Sequence, residues 1–143
     1  MSTPDTLGAL VESGAQQLTA AGVSFGHGTA NAHDEAVWLV LWCLGLPLDT
    51  DLASMANQPV APVDQARVAT LFDKRIATRK PAAYLTREAW LQGVPFYVDE
   101  RAIVPRSFIA ELLVDGGADE YLSDQTHRVL DLCTGNGSLA VLA

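Results

Sequence analysis

Cysteine is scarce in this chain: two residues in 143, Cys43 and Cys133, with no C-x-x-C pair, beside three scattered histidines. That excludes a disulfide framework and a zinc site built on spaced Cys and His ligands, and no metal site is expected. Free thiols in a reducing cytoplasm are the simplest reading. Basic residues are also few, 9 against 17 acids, for a formal charge of −8. Phosphate backbones repel such a chain, so direct nucleic-acid binding is disfavoured, while a basic partner would be attracted. Long apolar runs are missing. The longest, Ala36–Leu48, falls well short of the ~20 residues that span a bilayer, so no membrane role is expected. The opening MSTPDTLGALVESG has neither the basic region nor the apolar core of a cleavable signal. Internal repeats and low-complexity tracts are absent as well.

What the chain does have is apolar residues, 49% of the total against 18% charged, which is a globular composition. Thr3 and Pro4 read as a cap and first helical residue, with Leu7, Leu10, Val11 and Leu18 at helical spacing and Gly22 as the stop. Asn31 reads as the N-cap of a second helix, with Asp34 and Glu35 at its positive end. Apolar residues surround that helix from Val37 to Leu44, so it should be central, with Trp38, Trp42 and Cys43 in the core. Gly45 and Pro47 stop it. Residues 49–63 are a short helix or loop. A third helix should start near Pro62 and bury Val68, Leu71, Phe72 and Ile76. Lys74, Arg75, Arg79 and Lys80 crowd its last turns as a solvated basic end, and Pro81 closes it. In the loop before the second helix, His27 orders a glycine-rich segment or contacts a protein substrate. Residues 1–80 thus form a small helical domain.

The pattern then changes. YLTREAWLQGVPFYVDERAIVP is rich in aromatic and β-branched residues, with Gly93 and Pro95 at its turn, and reads as a β-hairpin. RSFIAELLVDGG reads as a helix capped by Ser107, with Ile109, Leu112 and Leu113 buried. A polar stretch containing an exposed His127 leads to VLDLCTGNGSLAVLA. That segment reads as a buried strand, a glycine turn and the start of a helix. Gly135 and Gly137 provide the small residues needed where a ligand approaches the main chain. The spacing Gly135-x-Gly137-x-x-Ala140 also fits the loose dinucleotide pattern, which leaves a nicotinamide cofactor open. Asp131 argues against it. A carboxylate inside an apolar strand is costly unless a site uses it, and the dinucleotide fold places its acid about 20 residues after the glycines.

The series Asp131-x-small-x-Gly135-x-Gly137 resembles the first motif of class I methyltransferases, which bind S-adenosylmethionine (SAM). Three stretches, FGHGTANAHDEAVWLVL, PAAYLTREAWLQGVPFYVDERAIVPRS and LDLCTGNGSLA, resemble the HemK-type N(5)-glutamine methyltransferases. Within them, the nearest branch is the one that acts on the third protein of the large ribosomal subunit. The resemblance runs from about residue 23 to the end. It implies an α plus α/β chain: a substrate-recognition helical domain over 1–80, a hairpin linker over 81–105, and over 106–143 the beginning of a Rossmann-like SAM domain. It further implies SAM contacts from Asp131, Cys133, Thr134, Gly135, Asn136 and Gly137, with Pro105, Arg106 and Ser107 closing the site. The hairpin aromatics Trp90, Phe96 and Tyr97 then either cover the cofactor or fill the domain junction.

The chain departs from the family pattern at several positions. Asn136 stands where the family often has serine or threonine, Phe108 where proline is usual, His33 where a larger aromatic is expected, and Cys133 where sister enzymes have a glycine. The family's Asn-Pro-Pro-Tyr motif, whose Asn and Pro-Pro backbone orient the substrate amide for in-line attack, does not occur in these residues. The polypeptide is therefore expected to continue past Ala143, and the 143 residues alone are expected to transfer no methyl group. A different reading makes the helical domain a plain binding module for a basic ribosomal protein.

Overall fold

The computed structural model describes residues 5–143, so the expected cap Thr3 and first helical residue Pro4 lie outside the described residues. The chain divides into two compact units, one through Thr86 and one from Arg87 to Ala143. Among the described residues no helix is long and apolar enough to cross a membrane.

The first unit is helical. Helix α1 spans Leu7–Ala20, and the Thr6 side chain accepts from the Ala9 N–H at its start. Its buried face holds the anticipated Leu7, Leu10, Val11 and Leu18, together with Gly14. Gly14 is there for space: a Cβ on it would stand 2.2 Å from Phe72 Cζ. Helix α2, Ala32–Leu44, is capped by Asn31, whose Oδ1 accepts from the Asp34 N–H at 2.9 Å. It ends at Gly45 in the left-handed region, φ 68°. Ala36, Leu39, Val40 and Leu41 are wholly buried, so α2 is the central helix. Burying each such leucine or valine contributes about 1.5–3 kcal/mol. Trp38 joins this core, but Trp42 does not: it is 37% exposed.

Helix α3 is a single turn, Leu52–Met55, and α4 runs Pro62–Thr78. Proline at the start of α4 lacks an N–H that would have had no partner there. The buried face of α4 is Val68, Phe72 and Arg75, with Leu71 and Ile76 only half-buried. Arg75 corrects the reading of a solvated basic end, because the residue is only 1% exposed. A further short helix, α5, covers Ala82–Thr86, so Tyr84–Thr86 are helical where the sequence pattern put the opening of the hairpin.

In the second unit, β1 (Glu88–Leu91) pairs antiparallel with β2 (Val94–Tyr97), with Glu88 opposite Tyr97 and Leu91 opposite Val94. Gln92 and Gly93 between them have φ of 51° and 74°. Positive φ at both central residues defines the tight turn whose twist matches the strands it joins. Helix α6, Ile109–Val114, a 3₁₀ turn at Asp119–Tyr121, and α7, Ser138–Leu142, follow.

Two expectations fail in this unit. Residues 129–133 form no strand: a strand is defined by its hydrogen-bonded neighbour, and among the described residues this segment has none. Val129, Leu130 and Leu132 are accordingly exposed. On α6, Ile109 and Leu112 are exposed, Leu113 is half-buried and Ala110 is the buried residue. An amphipathic face stays open when no element lies over it. Ser107 is not the N-cap expected: α6 starts one residue later, Phe108 takes that position without a side-chain capping bond, and the Ser107 Oγ accepts from the Ile109 N–H at 3.2 Å from just outside the helix.

Candidate functional site

The glycine turn of the second unit is built from local hydrogen bonds and left-handed backbone. The Thr134 hydroxyl donates to the Asp131 carbonyl at 3.0 Å, and the Gly137 N–H donates to the Thr134 carbonyl at 2.9 Å. Cys133, Gly135 and Gly137 have φ of 60°, 60° and 83°. For the two glycines this conformation carries no steric cost, whereas Cys133 bears a strain that a glycine would avoid. A Cβ on Gly137 would meet nothing within 4 Å, so the turn faces open space.

Asn136 joins this turn to the hairpin. Its Nδ2 donates to the Tyr97 carbonyl at 3.3 Å, while its Oδ1 accepts from the Ser138 N–H at 3.3 Å. Next to Tyr97, the Asp99 carboxylate accepts from the Arg101 Nε at both oxygens, from a second guanidinium nitrogen at 2.6 Å, from the Arg101 backbone N–H at 3.0 Å and from the Tyr97 hydroxyl at 3.1 Å. The Arg101 side chain holds the Asp99 carboxyl well below the usual carboxylate range. Sequence reasoning missed this pair, whose signal is the Asp-x-Arg spacing after an aromatic strand.

Asp131 is the chemically unusual member. Its Oδ2 is shut off from solvent and has no hydrogen-bond partner among the described residues. It borders an open apolar groove of about 520 Å³ with Ile109, Leu113, Leu130 and Leu139 on its walls. An unpaired carboxylate oxygen against apolar walls calls for a cation or an N–H donor, because its desolvation is otherwise uncompensated. Such an oxygen suits a ligand that carries positive charge better than it suits a pyrophosphate. The structure therefore gathers Asp131, Thr134, Asn136 and the two glycines around one turn. Cys133 is exposed on it. Ser107 is engaged instead at the start of α6.

The first unit holds a second polar cluster that the sequence reading passed over. Arg75 Nε donates to Glu35 Oε1 at 2.6 Å, and a second guanidinium nitrogen donates to the Ser24 carbonyl at 2.9 Å. The other Glu35 oxygen accepts from the Thr29 hydroxyl at 3.0 Å. Arg79 adds a bond to the Ala21 carbonyl at 2.8 Å. The loop between α1 and α2, including His27, is thus held from α2 and α4. Gly28 lies over Trp38, where a Cβ would come to 3.2 Å from Cζ3. The clue in the sequence was spacing: Val68, Phe72 and Arg75 lie on one helical stripe.

No protein-family model matches the chain. It is 52% identical over 140 residues to the ribosomal protein uL3 glutamine methyltransferase of Bordetella pertussis, covering 96% of this chain and 46% of that protein. The protein of the same name from Burkholderia pseudomallei is 52% identical over 94% of the chain and 44% of its own length. That of Xanthomonas campestris is 44% identical over 92% of the chain and 42% of its length. The chain spans less than half the length of the curated relatives it matches.

Proposed function

The chain is related to the N-terminal part of proteins named ribosomal protein uL3 glutamine methyltransferase, and from that premise we propose that it serves in SAM-dependent methylation of a glutamine side-chain amide. The substrate in this reading is a large-subunit ribosomal protein, uL3, and the setting is the cytoplasm where such proteins are made. The similarity over nearly all of the chain carries the reading. The solvent-excluded, unpartnered oxygen of Asp131 beside the glycine turn supports the choice of cofactor.

SAM supplies an activated methyl group. Asp131 and the turn from Cys133 to Gly137 would hold one wall of its site, and Pro105, Arg106 and Ser107 would approach as the closing segment. Residues 1–80 would recognise the substrate, 81–105 would link the two parts, and 106–143 would open a Rossmann-like cofactor domain. The observed division at Thr86 and Arg87 falls inside that linker. The acidic balance of the chain suits a basic ribosomal protein. The 143 residues by themselves, lacking Asn-Pro-Pro-Tyr, would not transfer the methyl group.

Titration calorimetry with SAM, followed by binding of purified uL3, tests the reading. Micromolar SAM affinity supports a usable cofactor wall. Tight uL3 binding without any SAM signal instead favours a pure recognition module, a role open to the first unit because it has its own core. Absence of both overturns the proposal.

A further inference from the structure

Asn136 ties together two segments far apart in sequence. Tyr97, the last residue of β2, lies 39 positions before it, and Ser138 opens α7 just after it. One planar amide uses its donor toward the strand and its acceptor toward the helix. A carboxylate of the same shape keeps only the acceptor. A serine is too short to span the distance to Tyr97. The Thr134 hydroxyl bonds only within the turn, to the Asp131 carbonyl, and Gly135 and Gly137 have no side chains, so the bond to β2 is made by Asn136.

We propose that Asn136 is a positioning residue: it fixes the glycine turn against β2 and leaves the cofactor contacts to Asp131 and the backbone of the turn. The proposal rests on the reading of residues 131–137 as a SAM-binding turn, and it moves Asn136 out of the set that touches the cofactor. The arrangement also couples the turn to the hairpin. Whatever stills the turn stills Tyr97, and with it the end of the strand.

The test is hydrogen exchange on the 143-residue chain, with and without SAM, in wild type, Asn136→Asp and Asn136→Ser. Both variants keep an oxygen for the Ser138 N–H and both lose the bond to Tyr97. At 3.3 Å both contacts are longer than an ordinary N–H···O bond and hence weak. Peptides covering 94–98 and 131–138 should therefore exchange about 3- to 10-fold faster in each variant, with the global unfolding midpoint unchanged. In wild type, SAM should slow exchange in both peptides. In the variants its protection should be confined to 131–138, a loss of coupling that a purely local structural role would not produce. SAM affinity should fall by about 3- to 10-fold.

Wild-type exchange at 94–98 in either variant overturns the proposal. So does a large loss of SAM affinity with exchange unaltered, which would make Asn136 a direct cofactor contact. If wild type itself shows no SAM binding, the cofactor reading falls, and the ligand-free exchange rates alone decide whether Asn136 holds the turn.

Discussion

Arg75 and Glu35, 40 residues apart in sequence, form an ion pair of 2.6 Å with both side chains almost wholly out of solvent. Ser24 and Thr29 complete its hydrogen bonding. Breaking a buried pair strands one charge and costs about 3–5 kcal/mol, whereas a well-packed apolar replacement of both is often neutral. Arg75→Ala should therefore lower the unfolding free energy by about 3–5 kcal/mol in a urea titration. Glu35→Gln should cost less, since its amide oxygen can still accept from Arg75. Arg75→Met combined with Glu35→Leu should recover most of the loss. A single-variant effect within about 0.5 kcal/mol, typical of exposed sites, would show the pair to be solvated.

The contact between Gly14 and Phe72 sets two opposing effects against each other. Gly14→Ala in mid-helix gains about 1 kcal/mol of helix propensity. The added carbon would stand 2.2 Å from the Phe72 ring, and relieving that overlap costs typically 1–3 kcal/mol. Overpacking wins, so the melting temperature should fall, and Phe72→Leu in the Gly14→Ala background should restore part of it. A simple rise in melting temperature would mean α1 and α4 can separate freely.

The two thiols should differ in reactivity. Cys133 is exposed, while Cys43 is buried and burial pushes its thiol pKa up. Thiolate is the reactive form, so a raised pKa lowers the reactive fraction at any given pH below it. With a disulfide reagent near pH 8, one thiol should react at once and the second only on unfolding. Cys133→Ser should abolish the fast phase. Two fast equivalents would show that α2 opens in the native state.

Features set by a few neighbouring residues were legible in the sequence. Asn31 caps α2, Gly45 ends it, Pro62 opens α4, and Gly93 lies in the hairpin turn, because capping and turn chemistry are local. Burial is tertiary, and there the reading slipped. Arg75 looks like one of four cations at a helix end until Glu35 arrives from another helix. Val129–Cys133 has the composition of a buried strand, but composition provides no neighbour to pair with. Ile109 and Leu112 are apolar at helical spacing, yet their face is uncovered. At the terminal turn, the glycine spacing anticipated the left-handed backbone seen at Gly135 and Gly137. The link from Asn136 to Tyr97 depends on a distance that no local pattern encodes.

Asp131 offers the sharpest separation of function from stability. Its unpartnered oxygen is costly to bury, so an isosteric change that removes the charge should relieve that cost. Asp131→Asn is therefore expected to leave the ligand-free protein as stable as wild type or more so. If the carboxylate faces the cationic groups of SAM, the same variant loses a charge-assisted contact worth about 1.5–3 kcal/mol, and affinity should fall by about 10- to 150-fold. Calorimetry and urea unfolding on one pair of proteins measure both quantities. Opposite signs in the two assays mark a residue kept for binding against its own stability cost. Reduced stability with unaltered SAM affinity would instead mean that the carboxylate is paired within the fold in solution, and the cofactor assignment of Asp131 would have to be abandoned.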